Sequence, residues 1–207
     1  MLAIIPCSGY GTRVGMQPWE AKELLLDKSS FGYGKPLIDY TLNICKEYNF
    51  SPLVTVRAEK KDLIAYLIER NITHLIEDSA DGKWYNSVLK TQHLWETDNL
   101  LLLPDTRFLP RFQVMDHLRL GMSLGNNAVF AMHRVDNPSQ WGVITADGVL
   151  IEKPQHLTGA HYAWGLIAFK KTYGQWLFSR MAHPIKLVDC GFTKLSRFID
   201  VTRTPSL

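Results

Sequence analysis

Apolar residues gather in short runs at Leu2 to Pro6, Leu53 to Arg57, Ile72 to Glu77, Leu100 to Leu103 and Ala128 to Met132. Runs of that length, bounded by polar and turn-forming residues, suit buried strands. Between them the apolar spacing becomes helical. Over Pro36 to Tyr48 the residues Leu37, Ile38, Leu42, Ile44, Cys45 and Tyr48 fall mostly on one face. Glu59 to Arg70 repeats the pattern with Leu63, Ile64, Leu67 and Ile68, and Trp84 to Trp95 is a third such segment. Strand alternating with helix over the first 130 residues predicts an α/β fold. The expected architecture is a doubly wound, mainly parallel sheet with helices on both faces and right-handed crossovers. After His133 the rhythm changes, because Gly142 to Thr145 and Val149 to Glu152 flank Ala146-Asp147-Gly148, an Asp-Gly turn that predicts a β-hairpin. An extended run over Tyr162 to Phe169, a helix over Thr172 to Met181, a short strand over Lys186 to Val188 and a helical turn near Leu195 complete the pattern. No linker interrupts it, so residues 1–207 are expected to form a single domain.

Composition narrows the function classes. With 207 residues, 46% hydrophobic and 21% charged, the chain is long enough to bury one sizeable core. A net charge of +3 without a long basic run gives no footing for a nucleic-acid surface. No stretch reaches the roughly 18 uninterrupted apolar residues of a membrane span, so a soluble protein is expected. Leu2 to Pro6 is too short for the core of a signal peptide and reads as a strand. Cys7, Cys45 and Cys190 are an odd number at wide spacings, which fits neither a disulfide framework nor a zinc site and suggests a reducing cytoplasm. The seven histidines show no metal-ligand spacing.

Candidate chemistry begins where the first strand ends, at Pro6-Cys7-Ser8-Gly9-Tyr10-Gly11-Thr12-Arg13. Open α/β sheets bind ligands at the carboxyl ends of their strands. Glycines let the backbone turn N–H groups toward phosphate oxygens, and Arg13 can add a charge-assisted contact. A plain glycine turn with a solvated Arg13 reads equally well from these residues alone. Two familiar loops are excluded. A dinucleotide fingerprint needs glycine where Val14 stands, and a P-loop needs Ser or Thr where Pro36 follows Gly34-Lys35.

The run Ile4 to Arg13, followed by Lys22-Glu23-Leu24-Leu25 and by Gly34-Lys35-Pro36-Leu37-Ile38, resembles the opening signature of the sugar nucleotidyltransferases, which include glucose-1-phosphate thymidylyl- and uridylyltransferases. The likeness continues in order through Asp81-Gly82, Leu103-Pro104-Asp105-Thr106, Trp141-Gly142-Val143, Glu152-Lys153-Pro154 and Val188-Asp189-Cys190-Gly191. It spans nearly the whole chain, although Pro154 to Asp189 is shorter than in full-length sugar-nucleotide pyrophosphorylases. Ala21 stands where the family carries proline, Cys7 and Ser8 replace small alanines, and Ala163-Trp164-Gly165 replaces an asparagine and glycine that hold the sugar.

The resemblance implies attack by an acceptor phosphate on the α-phosphorus of a nucleoside triphosphate, with pyrophosphate leaving. The acceptor phosphate, with a second pKa of about 6, is already ionised at neutral pH and needs no general base. Catalysis then rests on positioning and charge neutralisation. By resemblance, Arg13 and Lys22 are the catalytic cations. Ser8, Gly9, Gly11, Thr12 and Gly82 bind the nucleotide, and Gly142, Glu152 and Lys153 hold the acceptor. Asp105 and Asp189 follow strands and suit Mg2+, a cofactor that bridges one or two carboxylates to phosphates, or else serve as loop or helix caps. The partners implied are a nucleoside triphosphate and a phosphorylated small molecule, in a homo-oligomer. Two alternatives stay open: a cytidylyltransferase for phosphocholine or another small phosphorylated alcohol, and a nucleotide- or sugar-phosphate-binding module without turnover. Cys7 reads as a packing residue rather than a nucleophile, and the tryptophans read mostly as core, with Trp141 or Trp164 able to stack on a base or sugar.

Overall fold

Strand β1 (Leu2–Pro6) is apolar along almost its whole length because both its faces are covered, and Ala3, Ile4 and Ile5 are fully buried. The computed structural model describes residues 1–10, 15–29, 33–77, 82–159, 161–194 and 197–200. The chain divides into two compact units, one built chiefly on Met1–Trp95 and Leu101–Arg107, the other on Glu96–Leu100 and Phe108–Phe198.

In the first unit β1 pairs in parallel with β2 (Ser51–Arg57), from Leu2↔Ser51 to Pro6↔Thr55. Strand β2 pairs in parallel with β3 (His74–Glu77). The order is β3-β2-β1 followed by β4 (Asp98–Leu102), so the direction of winding reverses between β1 and β4. Such a switch point opens a crevice beyond the strand ends. Helices α1 (Leu37–Glu47), α2 (Lys61–Glu69) and α3 (Trp84–Lys90) make the connections. Helix α1 starts after Pro36, carries Asp39 in its first turn and buries Leu37, Ile38, Tyr40, Thr41, Ile44 and Cys45.

Helices α1 and α2 stop by the same device. Asn49 and Asn71 both take φ of 55°, the left-handed conformation that ends a helix. The Phe50 amide then donates to Cys45 O at 2.8 Å and the Ile72 amide to Leu67 O at 2.9 Å. Asparagine tolerates this conformation, and an apolar residue follows each time to cover the last turn. Both helices therefore feed directly into strands β2 and β3.

The second unit is mainly antiparallel. Strands β5 (Thr106–Leu109) and β6 (Ala128–Val135) flank α4 (Arg111–Ser123) along the chain. Strand β6 runs antiparallel to β9 (His161–Lys170), with an irregularity between Ala131 and Met132, and parallel to β11 (Cys190–Lys194). The hairpin β7 (Gly142–Ile144) and β8 (Val149–Glu152) stands where the Asp-Gly turn predicted it. Gly148 has φ of 78°, and the Thr145 amide and Val149 carbonyl close the turn at 2.9 Å. Strand β7 pairs with β9, and β8 with β10 (Ile185–Lys186). Helix α5 (Lys171–Ser179) follows β9 directly.

The α/β class with a parallel, helix-connected sheet is as expected. The third helical segment is α3 followed by a short 3-10 turn at Gln92–Leu94. Leu195, the centre of the expected last helical turn, lies outside the described residues, and strands β11 and β12 (Arg197–Asp200) stand on either side of it. Helix α4 was not expected. Its buried residues Val114, Met115, Leu118 and Met122 form a proper stripe, but exposed Phe112 and Leu120 blur the pattern in sequence.

Candidate active site

Two groups of predicted residues are built separately, one in each unit. In the first unit the end of β1 runs into Cys7, Ser8 and Gly9. The Cys7 amide donates to Thr55 O at 2.9 Å, extending the β1–β2 pairing by one residue. Ser8 is buried, and Gly9 has no described heavy atom within 4 Å of where a Cβ would stand. Gly11, Thr12 and Arg13 lie outside the described residues, as does Asp81.

Lys22 opens a 3-10 turn, Lys22–Leu24, and its Nζ lies 2.6 Å from Asp105 Oδ2, with side chains 22% and 13% exposed. The expected catalytic cation and one expected metal carboxylate, 83 residues apart in sequence, thus meet. Asp105 follows β4 between Pro104 and Thr106, and a buried arginine holds this stretch. Arg107 Nη1 donates to Thr106 O at 3.2 Å and to Pro104 O at 3.4 Å. Its Nε donates to Asp27 Oδ2 and its Nη2 to Leu37 O, both at 2.8 Å, and its Cζ sits 4.5 Å from the Tyr40 ring centroid. Burial by itself would raise the Asp27 pKa, but the Ser29 hydrogen bonds and the Arg107 guanidinium outweigh it and hold the carboxyl below its usual value.

Behind the first loop lies another buried pair. Lys60 Nζ donates to Cys7 O at 2.7 Å and to both Glu23 oxygens, at 2.9 and 3.2 Å. Burial raises the Glu23 pKa, an effect that the Lys60 charge opposes. Burial also pushes the Cys7 thiol well above its ordinary range, which fits packing and not a reactive thiolate.

Gly82, with φ of 60°, is pressed against an aromatic ring: a Cβ there would stand 2.6 Å from Tyr10 Cε2. The Arg57 guanidinium caps the same ring at 4.2 Å. Glycine is thus required here both by backbone conformation and by the neighbouring ring.

In the second unit Gly142 begins β7 and pairs with Glu152 on β8. A Cβ on Gly142 would meet Trp164 Nε1 at 2.0 Å and Glu152 Oε2 at 2.6 Å. The room left by the missing side chain is therefore used by the indole edge and the carboxylate. Trp164 is buried at 5% exposure, on the core side of the two readings open to it. Lys153, at φ of 49°, follows with its Nζ 3.7 Å from Glu152 Oε1. Its amide donates to Trp141 O at 2.9 Å, and Trp141 packs edge-on to His133 at 5.1 Å and against Val135, Val143 and Ala163. Asp189 is exposed at φ of 52°, and its carbonyl accepts from the Asn127 amide at 2.8 Å.

Among the described residues no group of three or more His, Cys, Asp or Glu side chains is arranged to hold a metal, and no helix is long and apolar enough to cross a membrane. Sequence reasoning gave no separate role to Lys60, Glu23, Arg107 or Tyr10, which the structure packs against the predicted site residues and their neighbours. Lys60 stands in a Glu-Lys-Lys run that reads as an exposed helix start, and only the fold buries it.

No protein-family model matches the chain. The chain is 29% identical over 183 residues to a Sulfolobus acidocaldarius protein named "Putative mannose-1-phosphate guanyltransferase", a match that covers 82% of this chain and 48% of that protein. It therefore spans about half the length of the curated relative it matches. A solved Bacillus anthracis structure, described as a "Putative Glucose-1-Phosphate Thymidylyltransferase" in complex with a sucrose, superposes with a TM-score of 0.77 at 17% identity, covering 98% of this chain and 90% of that one. Both names are those of sugar nucleotidyltransferases, so the resemblance carried by the motifs extends to the sequence of one such protein and to the fold of another.

Proposed function

We propose that this chain transfers a nucleoside monophosphate from a nucleoside triphosphate to a sugar 1-phosphate. One acceptor phosphate oxygen forms a bond to the α-phosphorus as the bond to the β-phosphate oxygen breaks, and pyrophosphate leaves with the electron pair. The observation that carries this reading is the Lys22–Asp105 pair at 2.6 Å, beside the loop after β1, at a switch point of a parallel sheet. An ammonium beside a carboxylate there can serve a polyphosphate and its counter-cation together.

In this reading Lys22 and Arg13 neutralise the triphosphate and the leaving pyrophosphate, and the amides of Ser8, Gly9, Gly11 and Thr12 cradle its oxygens. The nucleobase lies near Gly82. Glu152 accepts acceptor hydroxyls, Lys153 grips the acceptor phosphate, and Gly142 keeps the strand clear for Trp164 and Glu152. Asp105 is an oxygen donor of the kind Mg2+ takes, because the ion needs only one or two carboxylates and keeps waters and phosphates as its other ligands, and Asp189 is assigned to the same ion by its motif alone. When bound it would neutralise phosphate charge; the chain's own residues orient the two substrates and exclude alternatives. A reducing cytoplasmic setting accords with three free cysteines, two of them buried.

Phosphocholine, the acceptor of the alternative cytidylyltransferase reading, belongs among the acceptors to be tried.

The test is pyrophosphate release from ATP, CTP, GTP, UTP and dTTP with Mg2+, against a panel of sugar 1-phosphates and phosphocholine. Wild type is expected to need one triphosphate and one acceptor, and Asp105→Asn to lose on the order of 100-fold or more in kcat. Nucleotide binding without release from any pair would overturn the transferase reading in favour of a binding module.

A further inference from the structure

Lys60 is the most fully buried ammonium among the described residues of the first unit, and the proposed chemistry does not use it. Isolating a charge this far from water is costly, and its partner Glu23, only 1% exposed, is equally removed. Replacing such a pair with apolar residues is often neutral for stability, so its presence calls for a reason other than stability.

The geometry supplies one. An ammonium has three donors, and those of Lys60 are directed to Cys7 O, Glu23 Oε1 and Glu23 Oε2. The first acceptor belongs to the Cys7–Ser8 peptide. That peptide is planar and trans, so anchoring its carbonyl on Lys60 points the Ser8 N–H the opposite way. The positive charge behind the carbonyl also polarises that N–H. The other acceptor is next in sequence to Lys22, within the Lys22–Leu24 turn, and Lys22 in turn reaches Asp105. Lys60 itself is fixed as the residue preceding α2, its amide donating to Arg57 O at 3.1 Å and its carbonyl accepting from the Ile64 amide at 3.1 Å. One buried cation thus ties the start of α2 to both pieces of the proposed triphosphate site.

Resting on the transferase reading above, we infer that Lys60, through Glu23 and the Cys7 carbonyl, is a positioning residue. It aims the Ser8 amide at phosphate and holds Lys22 against Asp105. It touches no substrate.

The experiment compares wild type with Glu23→Gln, which keeps the volume, and with the paired apolar replacement Lys60→Met with Glu23→Leu. Two readouts are taken. The first is steady-state kinetics for the triphosphate and the acceptor. The second is the rate of acylation of Lys22 by a water-soluble amine reagent, located by peptide mass spectrometry, which requires no turnover. In folded variants kcat is expected to fall at least tenfold and the KM for triphosphate to rise, with the acceptor KM within twofold of wild type. Lys22 acylation is expected to quicken at least fivefold as its hold on Asp105 loosens. A folded variant with unchanged Lys22 acylation overturns the inference, whatever its activity. If the double replacement does not fold, Glu23→Gln decides by the same two readouts. If wild type releases no pyrophosphate at all, the transferase reading fails, while the acylation rates still test the positioning role of Lys60.

Discussion

At the scale of single residues, two glycines that look alike in sequence are set apart by their surroundings. Among the described residues no heavy atom stands within 4 Å of where a Gly9 Cβ would be, whereas Gly142 is closed in by Trp164 Nε1 and Glu152 Oε2. Gly9→Ala should therefore leave stability within about 0.5 kcal/mol while weakening triphosphate binding, because the added methyl stands where phosphate oxygens are proposed to approach. Gly142→Ala should cost about 1–3 kcal/mol through overpacking of buried groups. Urea denaturation and nucleotide titration of both variants check the contrast; a destabilised Gly9→Ala with unaltered nucleotide binding would remove Gly9 from the site. Both glycines were singled out from sequence by their motifs. Which of them makes room for a neighbouring side chain depends on residues distant in sequence, Trp164 above all, and so could not be read there.

At the scale of elements, the loop before α1, the first residue of α1 and the stretch carrying Asp105 converge on one guanidinium. Arg107 and Asp27 are fully buried. Arg107→Ala leaves the buried Asp27 carboxylate without its guanidinium partner, held among the described residues only by Ser29, and should cost about 3–5 kcal/mol. The acid response follows from the sign of the Asp27 shift. A carboxyl held below its ordinary value of 3.8 contributes stability that is fully present above that value and is lost as pH falls through the lower, folded value. Glu23, whose pKa is raised by burial, acts in the opposite sense, contributing most at low pH and least once pH has risen through its folded value. Asp27→Asn should accordingly be less stable than wild type at pH 7, with the gap closing below about pH 3.8, as measured by urea midpoints at both pH values. A gap independent of pH would show that the Asp27 charge is not what the pair contributes. None of this was visible in the sequence, where Asp27 and Arg107 both lie just outside the motifs, 80 residues apart, without a period to link them. Helices α1 and α2 were visible, because their apolar stripes are local features.

At the scale of the whole molecule, the single domain expected from the uninterrupted pattern corresponds in the structure to two compact units. We propose that they unfold as one cooperative body. Urea transitions followed by tryptophan fluorescence and by far-ultraviolet circular dichroism should then coincide, whereas two separated transitions would divide the chain into independently folding domains. Strand–helix alternation, the Asp-Gly hairpin and the order of the glycine-loop, lysine and aspartate motifs are all legible in the order of the residues. Each of these is written in near neighbours: a period of two or 3.6, a turn residue, a strand end. Folding is what brings Lys22 to Asp105, buries Lys60 against Cys7 and Glu23, and sets Trp164 against Gly142. Those contacts join residues tens of positions apart, and charged side chains such as Lys60 look solvated in sequence until the fold removes them from water.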